Sequence, residues 1–199
     1  MNMKIKISLL TALLLVCGLS LQAQKVAVKT NLFYGGATFT PNIGLEMGLG
    51  GRTTLDLVAG YNPWNLKGTE ENNDKQVHWL FQPELRYWTC ERFNGHFFGL
   101  HGLVSQFNVS GKELLDLRQE TIFAKDFRYE GFAYGGGLSY GYHWMVSKRF
   151  GLEFNVGVGA AYLSYDKFNC QKCSEPLGKE NDLYVGLTKA GITLVFLLK

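Results

Sequence analysis

The residues of this 199-residue chain with the clearest chemical potential are four cysteines, four histidines and a few charges scattered among glycines and aromatic rings. Cys170-Gln171-Lys172-Cys173 has the spacing of a redox pair. Such pairs act when a helix N-terminus or a nearby cation stabilises the thiolate, and no helical pattern begins here. Zinc would need about four ligands, and only two thiols lie together. The favoured reading is a disulfide between Cys170 and Cys173 that staples a loop in an oxidising compartment. Cys90 falls in a short turn at the opposite end and is expected to be free. His96 and His101 are five residues apart, so on a strand they face opposite sides and cannot share a metal. Ser139 and His143 share a face, as a hydrolase would require. Residues i and i+4 on a strand are about 13 Å apart, too far for a nucleophile and its base. No catalytic residue, metal site or cofactor is expected.

The charges carry more information. Lys29, Glu46, Asp56, Glu84, Arg86, Glu153 and Lys189 all fall on the polar side of alternating segments. Three basic groups against four acidic ones are close to balance, and buried charges must pair. They are expected to form an ion network inside a barrel, with a transport site the less favoured reading. Glycines at 135, 137, 141, 157 and 159 on the same faces are expected to leave room for those long side chains.

The elements that must position these charges are strands. With 24 glycines, four prolines and 14% aromatic residues, the composition suits a β-protein. Phe132 to Trp144 sets Phe132, Tyr134, Leu138, Tyr140, Tyr142 and Trp144 against a face of glycine, serine and His143. Phe150 to Tyr162 repeats the design, and Val77 to Trp88 does so with charges. Pro83 interrupts the latter on its apolar face, where it removes a ladder donor. Val26 to Tyr34, Ile43 to Leu49, Thr53 to Tyr61, His96 to Val109 and Leu183 to Leu198 complete about eight strands.

The connections alternate in length. Gly35–Asn42, Asn62–Gln76, Ser110–Arg128 and Asp166–Asn181 are long; Gly50–Arg52, Thr89–Gly95 and Met145–Arg149 are short. Outer-membrane barrels have short periplasmic turns and long external loops. Tyr34, Tyr61, Trp64, Trp79, Tyr87, Trp88, Tyr142, Trp144 and Tyr162 fall near strand ends, as interfacial girdles would. Lys189 to Phe196 has the form of a C-terminal signal for the barrel assembly machinery. The fold expected is therefore all-β, an eight-stranded antiparallel up-and-down transmembrane β-barrel with both mature termini periplasmic.

Residues 1–23 are excluded from that fold. Lys4 and Lys6, the apolar run Ile7 to Leu19 and Leu21-Gln22-Ala23 form a secretory signal cleaved after Ala23. Cys17 would suggest a lipoprotein, but Val16 is too bulky for the position before a lipidated cysteine. The barrel domain is expected over 24–199. Loss of Lys4 and Lys6 takes the formal charge from +3 to +1, which leaves no electrostatic case for nucleic acid.

Several segments together resemble a known family. They include Lys29-Thr30-Asn31-Leu32, Thr40-Pro41-Asn42-Ile43-Gly44, Gly60-Tyr61-Asn62-Pro63-Trp64 and Gln82-Pro83-Glu84-Leu85-Arg86-Tyr87-Trp88. Phe93-Asn94-Gly95-His96-Phe97-Phe98-Gly99, Ser139-Tyr140-Gly141-Tyr142, Thr188-Lys189-Ala190-Gly191 and the Cys170/Cys173 pair extend the match. The chain is similar to the Bacteroidetes family called domain of unknown function 3575. That resemblance implies an outer-membrane barrel without assigned activity, in a setting of fimbrillin-like surface fibres. Expected partners are outer-membrane lipid, the assembly machinery during insertion, and surface-fibre proteins. The charged loop Ser110–Arg128, with Lys112, Glu113, Asp116, Arg118, Glu120, Lys125 and Asp126, and the loop Asn62–Gln76 are the candidate binding surfaces. A narrow pore, a lipid-modifying enzyme and a soluble lipocalin-like binder are the competing readings.

Overall fold

A computed structural model describes residues 26–68, 73–110, 114–115, 121–123, 127–169 and 175–198. Eight long strands run in chain order: β1 (Val26–Asn31), β2 (Asn42–Gly50), β3 (Thr53–Asn62), β4 (Asn73–Trp88), β5 (Gly95–Ser110), β6 (Phe127–Met145), β7 (Phe150–Asn169) and β8 (Pro176–Leu197). Each pairs antiparallel with its sequence neighbour, and β8 pairs with β1 from Ala27↔Leu197 to Asn31↔Thr193. The sheet therefore closes into an up-and-down ring with no free lateral edge at its base. A short strand at Asn65–Gly68 continues the ring's upper rim against β4, and a small hairpin joins Leu114–Leu115 to Thr121–Phe123.

Two departures from the sequence reading have local causes. The first strand ends at Asn31, not Tyr34, and α1 (Leu32–Thr38) follows. The Asn31 side chain accepts the Tyr34 N–H at 3.1 Å, capping the helix before a strand can continue, and Phe39 ends it in the left-handed region at φ 51°. The second departure is that β4 to β8 run beyond the expected ends, β7 to Asn169 and β8 up to Pro176. The wall is thus lopsided, short across β1–β3 and tall across β4–β8. Cys170 and Cys173 lie outside the described residues, as do Lys112, Glu113, Asp116, Arg118, Glu120, Lys125 and Asp126.

Pro83 stays inside β4, opposite Leu57 of β3, while the β4–β5 ladder steps from Phe81↔Val104 to Glu84↔His101. The missing donor falls in that interval, where Gly102 packs on the pyrrolidine; a Cβ there would meet Pro83 Cγ at 3.4 Å, an ordinary contact. Not all the interior glycines act as expected. At Gly141 a Cβ would strike the Phe97 ring at 2.3 Å, so that glycine does make room for a side chain. At Gly137 and Gly159 the obstacle is the adjacent strand's backbone, Val158 O and Gly136 O, each at 2.2 Å. Those two permit β6 and β7 to approach and curve together. Gly137→Val should therefore lower stability by about 3 kcal/mol or more, since backbone cannot yield as a side-chain tip can. A drop in the urea midpoint of the refolded protein would show it.

A charged lumen closed at both ends

Strand parity sends Lys29 of β1, Glu46 of β2, Asp56 of β3, Glu84 and Arg86 of β4, Glu153 of β7 and Lys189 of β8 to the inside, all buried. The register places Glu46 opposite Asp56, and Asp56 opposite Glu84. Three acidic residues in a row across adjacent strands would repel unless cations stood over them. Arg86 does so. Its guanidinium reaches Asp56 at 2.6 Å, Glu84 at 2.8 Å, Glu46 at 2.9 Å and, across the lumen, Glu153 at 2.9 Å. Lys29 bonds Glu46 and Glu153, each at 2.6 Å, and Lys189 bonds Glu84 at 2.5 Å. The structure brings all seven residues into one network.

Neighbouring side chains extend it to the remaining strands. Ser139 of β6 donates to Glu84 in a short hydrogen bond. His101 of β5 shares a 2.8 Å hydrogen bond with the Thr188 hydroxyl. That contact depends on a β-bulge: the β7–β8 register skips from Gly157↔Lys189 to Val158↔Leu187, and Thr188 turns inward beside Lys189. The Gln82 amide then donates to the Thr188 carbonyl at 2.9 Å.

Below the charges the lumen is plugged. Trp88 is 0% exposed, its indole N–H donating to Thr54 Oγ1 at 2.9 Å, and Thr54 in turn donates to Glu46 at 2.5 Å. Its ring packs on Phe97 and Phe93, with centroids at 4.9 and 6.0 Å. The Phe97 face also lies 4.3 Å from the Arg86 guanidinium. Phe93 holds a positive φ of 63°, which costs about 1 kcal/mol. Burying its ring among Ala27, Val195 and Leu197 is worth about 2 kcal/mol, so the turn at 89–94 folds up into the mouth. Trp88 is thus not a girdle residue, as expected, but the floor of the lumen. Its parity with Glu84 and Arg86 was the available signal, overridden by its position near a strand end.

Above the charges α1 forms a cap. Tyr34 points inward, again not toward an interface, and its hydroxyl donates to His78 Nε2 at 2.6 Å. His78 Nδ1 lies 3.0 Å from the Gln76 carbonyl, which fixes that tautomer. Asn62 donates to Thr38 O and Thr40 Oγ1 at 2.8 and 3.0 Å, tying β3 to the end of the cap. Within the network the free space is about 20 Å³, the size of one water.

Other expected sites resolve plainly. His96 faces outward against Tyr140 and His101 faces inward, so they share nothing. Ser139 is committed to Glu84, and neither ring nitrogen of the buried His143 has a hydrogen-bond partner, so the two form no dyad. Cys90 is a free, exposed thiol in the turn after β4. Among the described residues no group of three or more His, Cys, Asp or Glu side chains is placed to hold a metal ion.

At the far end of the tall wall, sequence reading missed a second cluster. Phe107, Tyr129, Ala133, Leu163 and Tyr165 pack together on the inner face, with Val109, Phe127 and Tyr184 around them. The Tyr165 hydroxyl donates to Asp182 and to Glu180. Burial, reinforced by these two carboxylates, holds its phenol above the usual tyrosine range.

Among the described residues Arg86 is the one cation that touches all four carboxylates. Arg86→Met should cost about 3–5 kcal/mol, because it strands buried negative charge and does not merely delete a contact. Adding Glu84→Leu to that variant should restore part of the loss. The urea midpoints of the single and double variants check both statements.

No curated protein and no solved structure matches the chain. Its residues 9–198 match a family described as a protein of unknown function. The span covers every strand of the ring and all seven residues of the charged network, and the chain belongs to that family, DUF3575.

Proposed function

We propose that the protein is a non-enzymatic outer-membrane β-barrel, a filled scaffold with a structural or interaction role at the cell surface. The observation that carries this reading is a reversal of polarity along single strands. On the lower part of β5–β8 the outward residues are apolar and exposed, such as Phe98 (55%), Leu138 (65%) and Val158 (53%), while the inward ones are charged or small. Above Phe132 and Tyr162 the sense inverts. Leu163, Tyr165 and Tyr129 turn inward, and Glu130, Asp166 and Lys179 lie on the outer side. A strand in water throughout has no reason to invert, whereas a strand leaving lipid for water must.

The exterior rings agree. Tyr61, Trp64, Phe132, Tyr134 and Tyr162 lie at the upper limit of the apolar band, and Tyr87, Phe98, Tyr142, Trp144 and Phe150 at the lower. On this reading residues 1–23 are removed after Ala23, and both mature termini and the short turns face the periplasm. The tall wall stands outside the cell, where surface-fibre proteins are the partners the family setting suggests. A lipocalin-like carrier needs an apolar lumen, and this lumen is charged and full. A pore needs a continuous path, and this one is stopped by Trp88 and Phe93 below and by α1 above.

Fractionation should recover the protein with outer membranes, migrating on gels in a heat-modifiable form. In planar bilayers it should show no conductance steps. Recovery in the soluble periplasm would overturn the membrane reading; steady channel openings would overturn the filled scaffold.

A further inference from the structure

The ring is complete at its base but stepped at its rim. β1 stops opposite Thr193, whereas β8 continues to Pro176, so above that level no strand of the short wall faces β8. Helix α1 fills the step and packs against β8. Backbone groups left without a neighbouring strand are costly, and side chains meet two carbonyls of β8 here. Asn31 Nδ2 donates to the Ala190 carbonyl at 3.0 Å, and the Tyr184 hydroxyl to the Leu187 carbonyl at 3.3 Å.

Beside α1, at the level of the upper aromatic ring, lies an open cleft of about 800 Å³. Its walls include Leu32, Phe39 and Trp64, which are 47%, 65% and 50% exposed. Among the described residues, no charged side chain lines it. Its polar side chains are already engaged with the protein itself. Thr30 Oγ1 donates to the Asn42 carbonyl, Asn42 Nδ2 to the carbonyls of Asn31 and Thr40, and the Trp64 indole to the Phe39 carbonyl. A sugar, peptide or headgroup would find few unused partners there. Gly36 opens the floor, since a Cβ would meet nothing within 4 Å.

We infer that this cleft binds the hydrocarbon chain of an outer-leaflet lipid, seating it between α1 and the adjoining ends of β1 and β2. The inference rests on the membrane reading above. Its further supports are the uncharged lining, the spent polar groups and the continuity of the cleft with exposed apolar residues such as Ile43 on the barrel's exterior.

The test uses the full-length mature protein in phosphatidylcholine vesicles carrying a small fraction of the same lipid with a diazirine midway along one chain. After irradiation, adducts should concentrate on Phe39 and Trp64, several-fold above Leu138, which samples bulk lipid. Gly36→Phe, which fills the cleft, should bring labelling at Trp64 down to the Leu138 level while the barrel keeps its heat-modifiable migration. Equal labelling at all three positions in the wild type would overturn the inference without any variant, and so would cross-links from the cleft to a second copy or to another part of the chain. If the protein does not float with the vesicles at all, the membrane reading fails first and the inference with it.

Discussion

The guanidinium of Arg86 is the interaction on which the rest of the ring depends. Glu46, Asp56 and Glu84 stand side by side on β2, β3 and β4, and Glu153 faces them from β7. A lysine in this place would offer one compact charge; the planar fork of arginine presents five donors and can meet several carboxylates together. Lys29 and Lys189 then need only complete the pairing from β1 and β8, the two strands whose meeting closes the barrel. Through Ser139 and His101 the same network takes in β6 and β5. Each strand thus enters it with a side chain that fits only one register, because a slip by one residue would carry a charge to the outer face. By area alone a greasy core would be as stable, since the desolvation of buried ions consumes most of their mutual attraction. What the charges add is selection of partner and register. A barrel whose large apolar residues lie mostly on its exterior cannot obtain that selection from hydrophobic sorting toward the lumen.

That division of labour explains the ends of the molecule. The polar network must be kept from bulk water for its pairing to hold, and the chain closes it with local devices of opposite character. At the lower mouth a turn accepts a strained Phe93 to bring a ring beneath Trp88. At the other mouth a seven-residue helix turns Tyr34 and Thr38 toward the lumen and leaves Leu32 and Phe33 outside. The helix is too short to be stable alone, so its position is set by Asn31, by Asn62 and by the strand ends it joins.

How much of this was legible in the sequence depends on whether period and phase both persist. From Ile43 to Leu49, and again from Phe150 to Tyr162, apolar residues keep period two in a constant phase, and those strands and their inward charges could be read directly. Beyond Tyr162 the period continues but the phase shifts: Leu163 and Tyr165 take over on the other face. A phase shift looks like an ended strand, so the upper wall was assigned to loops. Thr188 was hidden for a related reason. Its bulge puts two consecutive residues on one face, which alternation cannot express. Trp88 and Tyr34 were misplaced because a ring near a strand end has two uses, interfacial anchor or lumen plug, and residue type does not choose between them. Parity chose for Trp88. For Tyr34 only the Asn31 cap, which ends the strand early, could have done so.

The lopsided wall follows from the same arithmetic. A ring of antiparallel strands needs matching lengths only where the network and the outer surface both demand it, across the level of Arg86. Above that level β4 to β8 can continue as an ordinary two-faced sheet, apolar within and polar outside, provided an inner cluster such as Tyr129 with Tyr165 repays the ordering of those residues. β1 to β3 carry no such cluster and stop. The step left where β8 outruns β1 is therefore a consequence of which strands hold a second apolar set. It is also the place where the exterior wall is built of helix and side chains instead of a hydrogen-bonded ladder. A smooth barrel wall offers a surface but no pocket. The step supplies a concavity, and its polar side chains, bonded to the protein itself, leave apolar contact as the main interaction those side chains can offer.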